Sequence, residues 1–334
     1  MKILKSRTVL GVICIVASLL ICFCITPLFN KEISKKVEIV RVVKNIKIGD
    51  KITGDMVRTV EVGSLNLPSE VIKNKENAIK EVKDASIEFE NVTFAYSDEE
   101  EEGKNALENI NLKIKSGETI GIIGGTGSSK SSLVQLIPRL YDVTKGKVKV
   151  GGIDVRNYDI KALRDSVAMV LQKNVLFSGT ISENLRWGKK DADEEELQEI
   201  CKLSQADSFI QEFPSKYDTL LDQGGTNVSG GQKQRICIAR AILKQPKILI
   251  LDDSTSAVDN KTDALIRRAF REKIPNTTKI IIAQRVSSIE DADQIVVLNE
   301  GRIDGIGTSK ELLETNQIYK EVYESQMKGG DDNE

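Results

Sequence analysis

The 334-residue chain contains no histidine. That single absence excludes Ser-His nucleophilic triads, imidazole proton transfer and histidine metal ligation. Cysteine is sparse: Cys14, Cys22, Cys24, Cys201 and Cys237 form neither a disulfide framework nor a zinc pattern, and a reducing compartment fits them best. Charge of neither sign is in surplus, since 48 basic residues face 50 acidic ones, so nothing in the balance favours nucleic acid as a partner. Aromatics make up only 4% of the chain, while 29% of residues are charged and 40% are apolar. These values suit an ordinary soluble α/β protein over most of the length, with room for two or three domains and a substantial core.

One long apolar run is present. Residues 8–30, "TVLGVICIVASLLICFCITPLFN", carry no charge and would span roughly 35 Å as a helix at about 1.5 Å per residue. The run reads as a transmembrane anchor over residues 1–30, with a cleaved signal peptide as the rival because "MKILKSR" has the charge of an n-region. Basic residues after the run favour a cytoplasmic C-terminal side, although Lys2, Lys5 and Arg7 ahead of it oppose translocation of the tail. Residues 31–82 alternate short β-branched runs with turn signals at Gly49-Asp50 and Gly54-Asp55. Their segment "IKIGDKITGDMVRTVEV" resembles part of the SAF module of membrane-anchored pilus and flagellar assembly proteins; a β-rich linker is the plain alternative.

From residue 83 to about 326, strands and helices alternate as in a parallel α/β sheet. Within "ETIGIIGGTGSSKSSLVQLIPRL" an apolar strand enters a Gly-rich loop and then a helix with apolar residues at Leu133, Ile137 and Leu140. Gly124, Gly125, Thr126, Gly127, Ser128, Ser129, Lys130 and Ser131 match the phosphate loop G-x-x-x-x-G-K-[ST] except that Ser129 replaces its second glycine. In such a loop the backbone N–H groups and the helix start, which runs on into Ser132, hold phosphates. Lys130 would reach the β and γ phosphates and the Ser131 hydroxyl would ligate Mg²⁺. If residue 129 needs positive φ, serine there costs about 1 kcal/mol.

The strand "KILILDDS" ends in two acids, of which Asp252 would hold Mg²⁺. Taken alone, two acids after a strand read equally well as a turn or a helix cap. In "NVSGGQKQR", residues 227–235, two glycines open a helix whose Ile236, Ala239 and Leu243 recur at helical spacing; the stretch reads as an anion site at Ser229 and the amides after it or, taken by itself, as a flexible helix start.

With these motifs in this order, residues 86–326 resemble the nucleotide-binding domain of ABC transporters. The resemblance implies a P-loop NTPase fold with a mostly parallel sheet, an antiparallel β subdomain and a helical signature subdomain, binding ATP and Mg²⁺. It also implies roles for single residues. Tyr96 would stack on adenine, and Gln172 would touch Mg²⁺ and sense a membrane domain. Ser229, Gly230, Gly231 and Gln232 would cap the γ-phosphate held by the opposing subunit of a head-to-tail dimer, and residues 256–259, "SAVD", would lie at that dimer interface.

Two further positions depart from the family pattern. Asp253 stands where a water-polarising Glu is usual, and Gln284 stands where a switch His is usual. The combination is similar to the degenerate-site half of a heterodimeric ABC exporter, whose transmembrane transport domain would here belong to another chain. The expected function is therefore that of an ATP-binding subunit with weak hydrolysis at its own site, on the cytoplasmic side of a membrane. The alternative is a membrane-anchored nucleotide-binding regulator or envelope assembly module without transport, or a joining of two unrelated fragments near residue 80. The acidic run 98–102 reads as a solvated loop, and residues 327–334 as a disordered tail.

Overall fold

The computed structural model describes residues 36–42, 57–63, 79–96, 105–254 and 256–331. The chain divides into two compact units, Met1–Ala78 and Ile79–Glu334. In the first unit, β1 (Lys36–Val42) and β2 (Val57–Gly63) pair antiparallel, from Lys36 opposite Gly63 to Val42 opposite Val57. The β-branched residues of "KVEIVRV" and "VRTVEVG" suit a pleated ladder. The apolar run 8–30, both Gly-Asp turns and the acidic run 98–102 lie outside the described residues. Among the described residues no helix is long and apolar enough to cross a membrane.

The second unit opens with β3 (Ile87–Phe94), β4 (Leu107–Ile114) and β5 (Thr119–Ile123), then the short helix α1 (Lys130–Gln135). Next come β6 (Lys145–Val150), β7 (Ile153–Asp154), α2 (Ile160–Ser166) and β8 (Val167–Val170). A largely helical stretch follows: β9 (Gly179–Thr180), α3 (Ile181–Arg186), α4 (Glu194–Leu203), α5 (Asp207–Glu212), β10 (Leu220–Leu221) and α6 (Gly230–Leu243). The chain then returns through β11 (Ile248–Asp252), α7 (Asn260–Lys273), β12 (Thr278–Ile282), β13 (Gln294–Asn299) and β14 (Arg302–Gly307) to α8 (Ser309–Thr315) and α9 (Gln317–Asp331).

The main sheet has the order β14-β13-β5-β12-β11-β8 and is parallel except for the edge strand β14. A second, antiparallel sheet has the order β4-β3-β6-β7. The apolar run of β11 is explained by what covers its two faces. Ile248 and Ile250 enter a core shared with the antiparallel sheet, while Leu249 and Leu251 enter a core shared with the helices. Successive strand residues point to opposite faces, so a strand covered on both sides reads as continuously apolar. The neighbouring β12 divides the same way, with Ile280 and Ile282 on one side and Ile281 on the other.

The described unit begins at Ile79, slightly ahead of the boundary expected at residue 83, and Ile79 pairs with Tyr158 in an isolated bridge. The helix after the Gly-rich loop is shorter than its apolar spacing suggests. It ends at Gln135, and although Leu133 and Ile137 are buried, Leu140 is 46% exposed. Pro138 is the reason, because its ring disfavours the helical region for the residue before it and it donates no N–H. At the other end of the chain, α9 continues to Asp331, into the stretch read as a tail.

Because Ile250 is fully buried between strands on both sides, Ile250→Ala should cost about 2–5 kcal/mol. The expected result is a lower urea midpoint at unchanged slope. A loss below about 1 kcal/mol would show that the two-faced packing of β11 carries little of the stability.

Candidate functional site

The parallel sheet brings the candidate residues together because the C-terminal ends of neighbouring strands open on one side. In the order β5-β12-β11-β8, the Gly-rich loop follows β5, Gln284 follows β12 by two residues, Asp253 follows β11 directly and Gln172 follows β8 by two. The middle strand therefore receives a side chain from each neighbour. Gln172 Nε2 donates to Asp253 Oδ2 at 3.2 Å, and Gln284 Nε2 donates to the same oxygen at 2.5 Å.

Asp253 has φ 49° and its backbone N–H donates to Ile282 O at 3.0 Å, which ties it to the end of β12. Aspartate is among the residues that tolerate this left-handed conformation. Burial pushes its carboxyl above the usual range, and the neighbouring Asp252 adds to that, against the two amide donors and Arg285. Asp252 is likewise pushed up by burial, opposed by a hydrogen bond with the Ser131 hydroxyl and by Lys130. The Lys130 ammonium is pushed down by burial and held up by both aspartates.

In the loop, Gly124 has no room for a side chain, since a Cβ there would lie 2.1 Å from Leu298 O. Gly127 needs its conformation rather than space: its φ is +81° and an added Cβ would meet nothing. Ser129 has φ 67° and ψ 27°, the left-handed conformation on which the cost of losing the glycine depends, and its side chain makes no cap bond to α1. Lys130 Nζ donates to Gly124 O at 2.7 Å and to Gly125 O at 2.9 Å. Beside the loop, the Tyr96 hydroxyl lies 2.7 Å from Ser132 Oγ. Its ring is 59% exposed and packs edge-on against Phe94 and Tyr141.

The Ser229–Gln232 motif lies at the start of α6. Ser229 Oγ accepts from Gln232 N while Gln232 Oε1 accepts from Ser229 N, a reciprocal cap. The Ser229 hydroxyl proton stays available to an outside acceptor. Gly231 is pressed against residue 257, where a Cβ would come within 2.8 Å of Ala257 O. Asp259 accepts from Thr262 N and so caps α7.

Three contributors were not singled out from the sequence. Gln234 is buried, accepts from Ala257 N and lies within bonding distance of Ser256 Oγ, joining α6 to residues 256–259. Its signal was present, because it shares the face of Cys237, Ile238 and Ala241, all buried, and a glutamine on an apolar stripe needs a partner. Arg285 donates to Val258 O and Asn260 Oδ1, joining the Gln284 loop to the same segment. Tyr141 stands outside any repeat or motif.

A family model described as ABC transporter matches residues 107–256. The chain is 46% identical over 242 residues to the uncharacterized ABC transporter ATP-binding protein YknU of Bacillus subtilis, across 72% of this chain and 41% of that one. The chain carries an ABC transporter ATP-binding domain. The chain is also 39% identical over 268 residues to an ATP-dependent lipid A-core flippase of Hahella chejuensis, across 80% of this chain and 45% of the flippase. Among solved structures, a bacterial Atm1-family ABC exporter with ATP bound superposes with a TM-score of 0.73 at 32% identity, over 76% of this chain and 44% of the exporter. The chain thus spans less than half the length of the relatives it matches.

An ABC ATPase domain implies ATP, and Mg²⁺ is general for such domains. The oxygen set fits that cation. The Ser131 hydroxyl is close enough to the buried Asp252 carboxylate to favour its charged form, and hard divalent ions take hydroxyl, carboxylate and phosphate oxygens.

Two measurements probe this site. Ser129→Gly removes left-handed strain without removing a cap bond, so the thermal midpoint should rise by up to roughly 2–4 °C, the equivalent of about 1 kcal/mol for a unit of this size. A fall would mean that the loop does not strain the serine. The second concerns pH. A raised folded pKa gives stability that is full below the unfolded value and is lost as pH rises through the folded value. Asp253→Asn, which keeps an amide acceptor, should therefore gain on the wild type as pH rises above 3.8, the ordinary aspartate value. An Asn-minus-Asp difference that stays flat from about pH 3 to pH 7 would contradict the burial effect.

Proposed function

We propose that the chain is the ATP-binding subunit of an exporter-type ABC transporter that holds MgATP at its own site with little turnover. In this reading its Ser229–Gln232 segment completes a competent site on a partner. Catalysis by a water-activating carboxylate needs correct distance first and a suitable pKa second. The observation that carries the reading is the bracket on Asp253, in which two amides donate to one oxygen of a side chain already a carbon short. A displacement of about 1 Å in a positioned group can cost on the order of a hundredfold in rate. Gln284 adds to the deficit, because a neutral amide can bond a phosphate but brings no positive charge, and charge-assisted bonds are roughly twice as strong.

Support for the binding half of the reading comes from groups that lie close together. The glycine-dependent turn, Lys130, the Ser131–Asp252 oxygen pair and an exposed aromatic at Tyr96 all lie at one end of the sheet. The Ser229 hydroxyl, capped from within and able to donate outward, supports a role toward a second subunit in a head-to-tail dimer, with a heterodimeric partner bearing the intact Glu and His.

A membrane partner has a suitable face beside Gln172. A groove of about 370 Å³ includes Leu171, Lys173, Phe177 and Trp187, with the Trp187 ring 69% exposed and stacked on Phe177 at 4.7 Å. Exposed apolar patches of this kind mark interaction surfaces. The occupant proposed is a polar-ended helix or loop of a transmembrane domain on another chain, seated next to the residue that bonds Asp253. The ATP-binding domain then lies on the cytoplasmic side, where its nucleotide is available.

The test is single-turnover hydrolysis of MgATP by the full chain. Wild type should bind MgATP and cleave it slowly, and Asp253→Glu with Gln284→His should raise the rate by on the order of a hundredfold. Rapid cleavage by wild type alone, or no gain in the double variant, would overturn the weakened-site reading.

A further inference from the structure

The C-terminal helix reaches the nucleotide site through one side chain. Helix α9 is seated by Tyr319, which is fully buried and whose hydroxyl lies 2.9 Å from Ser309 Oγ. Val322 and Tyr323 pack on the same core. Gln326 lies seven residues beyond Tyr319, two turns along the same face. It is an exposed residue, yet both ends of its amide are engaged. Oε1 accepts from Val286 N at 2.8 Å and Nε2 donates to Gln284 O at 2.8 Å. These backbone groups lie past the end of β12, where no neighbouring strand can supply their partners. The segment clamped in this way is the one whose Gln284 side chain donates to Asp253.

We propose that Gln326 is a positioning residue for the nucleotide site, acting through Gln284, so that docking of α9 sets how firmly the site holds a terminal phosphate. The inference rests on the ATP-binding reading above. A Gln fits where its relatives do not. Asn is a carbon too short to span both backbone groups, and Glu accepts from Val286 N but cannot donate to Gln284 O. The clamp acts at the Asp253 end of the site and leaves Lys130 and Tyr96 untouched, so it should discriminate between nucleotides with and without a γ-phosphate.

The experiment is calorimetric titration of the full chain with Mg²⁺ and a non-hydrolysable ATP analogue, and separately with MgADP. Gln326→Ala should weaken the analogue by about threefold to tenfold, the worth of one ordinary hydrogen bond, and change ADP by less than about twofold. Gln326→Glu should show the same selectivity with the helix surface retained. On a Gln284→Ala background, Gln326→Ala should have no further effect on the analogue-to-ADP ratio, since a residue acting through another loses its effect with it. Equal weakening of both nucleotides, no weakening of either, or an undiminished effect on the Gln284→Ala background would overturn the inference and leave the ATP-binding reading standing. Wild type that binds neither nucleotide overturns the reading itself, and the inference with it.

Discussion

One oxygen atom, Oδ2 of Asp253, accepts from side chains that arrive on two different strands. It can do so because β11 lies between β12 and β8 in a parallel sheet, which places three consecutive strand ends side by side. The sheet order is in turn a consequence of burial. Isoleucines and leucines fill both faces of β11 and β12, and parallel strands of that composition persist only when covered on both sides. The antiparallel sheet provides one cover and the helices the other. Site geometry and core packing are therefore the same constraint seen from two ends.

From that oxygen the connections spread outward. Gln284 leads through its backbone to Gln326 in α9, and the next residue, Arg285, leads to Val258 and Asn260. Residues 256 and 257 are held in turn by Gln234 of α6, the helix whose first turn carries the Ser229 motif. Hydrogen bonds thus run without a break from the 284–286 loop through the 256–259 segment to α6. Close packing at Gly231, where even a methyl group would crowd Ala257 O, adds a steric contact between the same two segments.

Much of this was legible in the sequence, for identifiable reasons. A strand buried on both faces advertises itself as an unbroken apolar run, as Ile248–Leu251 does, and the turn after β5 advertises itself because its glycines answer to local backbone demands. Ser129 belongs to this class: its left-handed φ could be anticipated because the neighbouring residues define the loop. Leu140 was misplaced because periodicity counted it on a helix that Pro138 had already ended. Gln326 was out of reach altogether. Its partners lie 40 and 42 residues away, and an exposed glutamine near the end of a polar helix differs in no local respect from a solvated one. Local rules reveal local demands; contacts made across the sheet appear only once the strands are ordered.

The charges around Asp253 decide what the two departures from the family pattern do together. Asp252 and Asp253 are adjacent, both largely buried, and each is pushed toward its neutral form chiefly by that burial. An imidazolium at position 284 would oppose this by favouring the charged carboxylate. The amides of Gln172 and Gln284 relieve part of this by hydrogen bonding without cancelling the charge, and Arg285 beside Asp253 and Lys130 beside Asp252 add opposite charge. Lys130 itself is held by Gly124 O and Gly125 O. A phosphate entering the loop would have to win the ammonium from these carbonyls, and Ser131 and Asp252 would have to turn from each other toward a divalent ion that they held. The affinity is the difference between the bonds gained and these bonds given up. Two carboxylates pushed toward their neutral forms by burial gain most from a ligand that arrives with its own divalent cation.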